Sequence, residues 1–157
     1  MDWPKGENAV DYNIKLIELA NKIAEKYACG FYVKLHPVDS VENYKGLINN
    51  TYGEVLDKTT SMEQFENMVD FSVAHNTSAI IDLIYDEKTV FVYRMEKSFP
   101  VITDDIYNFK DIEEFIDKYN KWNDNKEKYK EEYKNIISLY YTKNSKELHK
   151  KFFESLI

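Results

Sequence analysis

Between residues 8 and 27, apolar positions Val10, Ile14, Ile17, Leu19, Ala20, Ile23 and Ala24 recur at helical spacing, and Gly30 stands where a C-terminal cap belongs. A first helix is predicted there. "GFYVKLHP" then reads as a short strand from Phe31 to Leu35. Pro37 ends it, because proline lacks an amide donor and keeps the preceding His36 out of the helical region. Ser40 to Ile48 reads as a short helix capped by Ser40, with Asn43 three residues on, and the polar run "NNTYGE" closes it. A weak strand follows near Glu54 to Leu56. In "TTSMEQFENM", Thr60 with Glu63 or Ser61 with Gln64 forms a capping box, which predicts a helix from Ser61 to Met68.

The segment "VDFSVAHNTSAIIDLIYDEKTVFVYR" reads as a strand from Val69 to Ala74, a break at "HNTS", a helix from Ala79 to Tyr85, a turn at "DEK" and a strand from Thr89 to Tyr93. After a loop with Pro100 and a short strand near Val101, Asn108 is expected to cap a helix through Lys121, with Ile112, Phe115, Ile116 and Tyr119 as its apolar positions. The remainder reads as helical. Tyr129, Tyr133, Ile136, Ile137 and Tyr140 form one stripe, followed by a turn at "TKNS" and by Leu148, Phe152 and Leu156. The tyrosine stripe fits a core or interdomain face better than a surface stacking on sugars.

Strands alternating with helices predict an α/β layered domain with a parallel sheet and right-handed crossovers. At 157 residues one domain is expected, spanning 1–157, with 122–157 as a helical C-terminal extension. Such a unit normally opens with a strand, yet "MDWPKGEN" leads directly into a helix. The opening strand therefore looks absent.

Composition narrows the partners. Apolar residues make up 43% and aromatics 15%, a globular balance. A formal charge of -7 argues against nucleic acid or an anionic membrane surface, which are held by clustered Lys and Arg, so any phosphate site must be local. A lone cysteine, Cys29, the lack of a signal-peptide pattern and the lack of a roughly 20-residue apolar stretch predict a cytoplasmic chain without a transmembrane segment.

In an open parallel sheet, ligands bind beyond the carboxyl ends of the strands. Two polar clusters fall there: His36-Pro37, and His75-Asn76-Thr77-Ser78. The amides of Ser78, Ala79 and Ile80 would begin a helix, so the second cluster either merely caps that helix or receives a phosphate, drawn by free donors and the helix dipole. Asp82, one turn on, either accepts bonds from ribose hydroxyls or is a solvated helix residue. Arg94, in a lysine-rich chain, suits bidentate contact with phosphate or carboxylate, or pairs with Glu96 or Asp82. His36 is either a phosphate ligand or a structural histidine bonded to a nearby carbonyl.

"KLHP" at 34–37 and "AHNTSAIIDLIYDEKTVFVYR" at 74–94 resemble the C-terminal, nucleotide-binding half of GT-B glycosyltransferases. The likeness is to the bacterial enzymes of capsule and surface polysaccharide, sialyl and Kdo transfer, and to the glycerophosphotransferases of teichoic acid. It implies a Rossmann-like three-layer domain binding a nucleotide-activated sugar or glycerol donor, with no metal or other cofactor. By position, His36 would be the catalytic group on donor phosphate. Pro37, Asn76, Thr77, Ser78, Asp82 and Arg94 would line the donor site. The same pattern resembles sugar-nucleotide 2-epimerases, with "TSAIID" where those carry a Ser-Gly-Gly segment ending in an acid. His75-Asn76 stands where teichoic-acid enzymes commonly carry an aspartate and an aromatic, and Thr89 where proline is usual.

GT-B enzymes act between two domains, and an N-terminal domain usually supplies the acceptor site and base. The resemblance therefore implies a missing acceptor-binding domain or subunit and leaves room for peripheral membrane association. It also leaves room for a non-catalytic half-enzyme that serves as an interaction module.

Overall fold

A computed structural model describes residues 9–36, 38–44, 46–75, 77, 79–94 and 107–140. Among them, helices α1 (Ala9–Tyr27), α2 (Met62–Met68), α3 (Ala79–Tyr85), α4 (Ile112–Asp124) and α5 (Lys126–Tyr140) are interspersed with strands β1 (Phe31–Val33), β2 (Gly53–Val55), β3 (Ser72–Ala74), β4 (Val90–Tyr93) and β5 (Asn108–Phe109). The fold is α/β, and every strand pairing is parallel. Among the described residues β1 pairs with β2, and β3-β4-β5 form a second sheet. The register runs Phe31 to Gly53 in one sheet, and Ser72 to Val90 and Val92 to Asn108 in the other. A cleft of about 1030 Å³ separates β1 from β3.

The two sheets carry cores of different weight. Around β3-β4-β5, the side chains of Val90, Phe91, Phe109 and Phe115 are wholly buried, joined by Tyr107 and Trp122. Phe71 ties this cluster together, its ring lying 5.6 Å from Phe91, 5.7 Å from Trp122 and 5.4 Å from Tyr119. Such offset and edge-on aromatic contacts each add about 0.5–1.5 kcal/mol beyond burial. Around β1-β2 the core is smaller, with Ile17, Leu35 and Tyr44 buried and Ile14, Val33, Leu47, Ile48 and Val55 packed on them. Helix α1 belongs to both, giving Ile17 to the smaller core and Leu19 and Ile23 to the larger.

Local chemistry sets the boundaries. At α2 the second of the two candidate capping boxes forms: Ser61 Oγ accepts from Gln64 N–H (3.1 Å), and Gln64 Oε1 accepts from Ser61 N–H (2.8 Å). Three expectations are corrected. The left-handed residue after α1 is Ala28 (φ 50°), one beyond the last helical residue, whereas Gly30 is not left-handed. Residues 41–44 make a single 3-10 turn in place of a helix reaching Ile48, since Gly46 takes a positive φ and Asn49 begins a turn closed by Gly53 N–H. Asn108 does not cap α4; it is a buried residue of β5, and Asp111 caps the helix by accepting from Glu114 N–H at 2.8 Å. The strand near Val101 and the apolar positions Leu148, Phe152 and Leu156 lie outside the described residues. Among the described residues no helix is long and apolar enough to cross a membrane.

Candidate functional site

The carboxyl ends of β1 and β3 open on the same end of the cleft. Helix α1 begins there: Tyr12 packs its ring 5.0 Å from the His75 ring, and Asn13 donates to Asp39 (3.2 Å) and to the Tyr44 hydroxyl (2.7 Å). One helical turn thus holds the loop after β1 and the loop after β3 together. Tyr12, Asn13, His36, Asp39, His75 and Thr77 all line this end.

The two imidazoles are held in complementary states. His36 is exposed, and its Nδ1 accepts from Val38 N–H at 3.3 Å, which places the proton of the neutral ring on Nε2. His75 is half-buried and bonded through Nδ1 to the Tyr93 carbonyl at 2.8 Å. A carbonyl only accepts, so Nδ1 carries the proton and Nε2 keeps its lone pair. Burial holds the His75 pKa below the ordinary histidine value, outweighing the carbonyl bond that favours the charged ring, and the Arg94 charge lowers it further. His36 therefore offers an N–H to the cleft and His75 an acceptor.

Thr77 leads into α3. Its hydroxyl oxygen accepts from Ala79 N–H (3.3 Å) and its carbonyl from Ile80 N–H (3.2 Å), so two of the three amides expected to greet an anion are already engaged locally. The Thr77 hydroxyl keeps its own proton to donate. Asp82 is exposed and is not among the residues lining the cleft; its negative charge is felt instead at Glu66, whose carboxyl is pushed up by burial first and by Asp86 next. Arg94 follows β4, half-buried, with its N–H donating to the Phe109 carbonyl at 2.7 Å. Its charge reaches His75. Pro37, Asn76 and Ser78 lie outside the described residues.

The structure thus brings His36 and Thr77 to one cleft and leaves Asp82 off it. It adds residues that sequence reasoning did not single out: Tyr12, Asn13 and Asp39, and His75 in the role of a fixed imidazole. For His75 the signal was present, a histidine directly after a strand, but the partner that orients it, Tyr93, comes from the next strand of the sheet. Among the described residues, no group of three His, Cys, Asp or Glu side chains is placed to hold a metal ion. Comparison with protein-family models, with curated proteins and with solved structures finds no match.

Proposed function

We propose that this domain binds the phosphate-bearing nucleotide of an activated sugar, or of activated glycerol, as the donor-nucleotide half of a surface-polymer glycosyltransferase or glycerophosphotransferase. The observation that supports this reading is the convergence of His36, His75 and Thr77 on one cleft at the carboxyl ends of parallel strands, where α/β folds take their ligands. The His36 Nε2–H and the Thr77 hydroxyl donate to phosphate oxygens. The His75 Nε2 accepts from a ribose hydroxyl, the role that Asp82 is not placed to fill.

In transfer, negative charge grows on the leaving phosphate, and donors aimed at that charge stabilise the transition state more than the ground state. His36 supplies such a donor in this reading. The acceptor and its base belong to another domain or subunit, so the isolated chain is expected to bind donor nucleotide without turning it over. Calorimetric titration with CDP and UDP tests the site. Binding of at least one, weakened about tenfold or more (about 1.4 kcal/mol) by both His36→Ala and Thr77→Ala, supports it. Absence of binding by either nucleotide, or affinity unchanged in both variants, overturns it.

A further inference from the structure

Lys34 follows the last residue of β1 and lines the same cleft as His36 and Thr77. A strand sends successive side chains to opposite faces, and that alternation carries on past the end of β1. Val33 and Leu35 pack into the smaller core with Ile17 of α1. Lys34, half-buried, and His36, exposed, therefore share the other face. Two residues of extended chain set their Cα atoms about 6.6 Å apart, so a long ammonium side chain and an imidazole reach neighbouring groups of one ligand.

The ammonium is held in place. Lys34 Nζ donates to the carbonyl of Thr60, the residue before the α2 cap, at 2.6 Å. An ammonium has three N–H donors and this carbonyl takes one, so two remain. Among the described residues Lys34 forms no ion pair. Two acids near it in the chain are turned to other partners: Asp39 accepts from Asn13 (3.2 Å), and Asp57 accepts from the amide (2.8 Å) and the hydroxyl (2.6 Å) of Thr59. Drawing a cation partly out of water favours a counter-charge, and a chain with 28 acids against 21 bases has carboxylates to spare. Here the counter-charge is left for a ligand.

The other donors at this end differ in kind. The neutral His36 ring and the Thr77 hydroxyl orient a phosphate but bring no net charge to it. A diphosphate carries a further negative charge on a second phosphate joined to the first, and lysine is suited to meet it as a compact point charge. A bond between ionised partners is about twice as strong as a neutral one, so the ammonium tells the two phosphate classes apart where the neutral donors do not.

We propose that Lys34 is the counter-charge for the second phosphate of a diphosphate-linked donor, so that the site selects sugar or glycerol carried on a nucleoside diphosphate over sugar carried on a nucleoside monophosphate. The proposal rests on the nucleotide reading and narrows it to one donor class. Lys34 is in this view a specificity-determining residue, and His36 and Thr77 serve the phosphate that both classes share.

The test titrates the full chain calorimetrically with CDP and CMP, and with UDP and UMP. The wild type should bind a diphosphate about tenfold or more tighter than the monophosphate of the same base. Lys34→Gln keeps a donor for the Thr60 carbonyl and removes the charge. It should bring the two affinities together while leaving that for the monophosphate within about twofold of wild type. The wild-type ratio needs no variant, so a fold weakened by the substitution does not hide the outcome. Three results overturn the proposal: equal affinity of the wild type for the two phosphate classes; a preference that survives Lys34→Gln; or a variant that loses both classes alike, which makes Lys34 a structural tie to Thr60. In each of these the nucleotide reading stands. Binding of none of the four nucleotides fails the nucleotide reading itself, and the proposal falls with it.

Discussion

At the scale of single residues, His75 gives the clearest consequence. Its pKa lies below the ordinary value in the folded state because burial disfavours the imidazolium. The unfolded chain therefore binds a proton near the ordinary histidine pKa of about 6.5 while the folded one does not. The stability His75 contributes is full above that value and is lost as pH falls through the depressed folded pKa. The urea midpoint of the wild type should drop between pH 7.5 and pH 5.5, and His75→Gln should flatten that slope; an equal slope in both proteins counts against the assignment. Glu66 acts with the opposite sign, since burial raises its carboxyl. Its contribution is present at low pH and fades as pH rises through its elevated folded pKa, so the variant, not the raw profile, isolates the histidine.

At the scale of elements, caps and close contacts decide. Removing the reciprocal bonds of Ser61 and Gln64 with Ser61→Ala should cost about 1 kcal/mol, read as a lower urea midpoint with unchanged m-value. Gly53 is a tighter constraint, because a Cβ there would meet the Phe31 ring and lie 2.6 Å from Ile48 Cγ2. Gly53→Ala should cost about 1–3 kcal/mol through overpacking, and faster exchange at the β1-β2 amides would locate the damage. These elements also show what could be read from the chain. The strand-loop-helix-strand pattern around His75 is written in adjacent residues: apolar run, small polar break, helical spacing, second apolar run. The two residues of β5 are not, because a strand that short has no period of its own, and Asn108 looks like a cap until Val92 pairs with it. The gap between β1 and β3 was equally hidden. Where the sheet stands open depends on strand order, which no local pattern encodes.

At the scale of the whole molecule, stability is unevenly placed. The aromatic cluster around β3-β4-β5 should dominate: Phe91, fully buried and within 6.0 Å of the rings of Phe71, Tyr107, Phe115 and Trp122, should cost about 3–5 kcal/mol as Phe91→Ala, a large share of the total stability of a small domain. Denaturant melts that leave the variant within about 1 kcal/mol of wild type would mean that the cluster is not the main source of stability. A divided sheet suggests two independent melting units, yet α1 spans the division, with Ile17 committed to one core and Leu19 and Ile23 to the other. Because the helix cannot detach from one side without withdrawing its residues from the other, heating should produce a single cooperative transition.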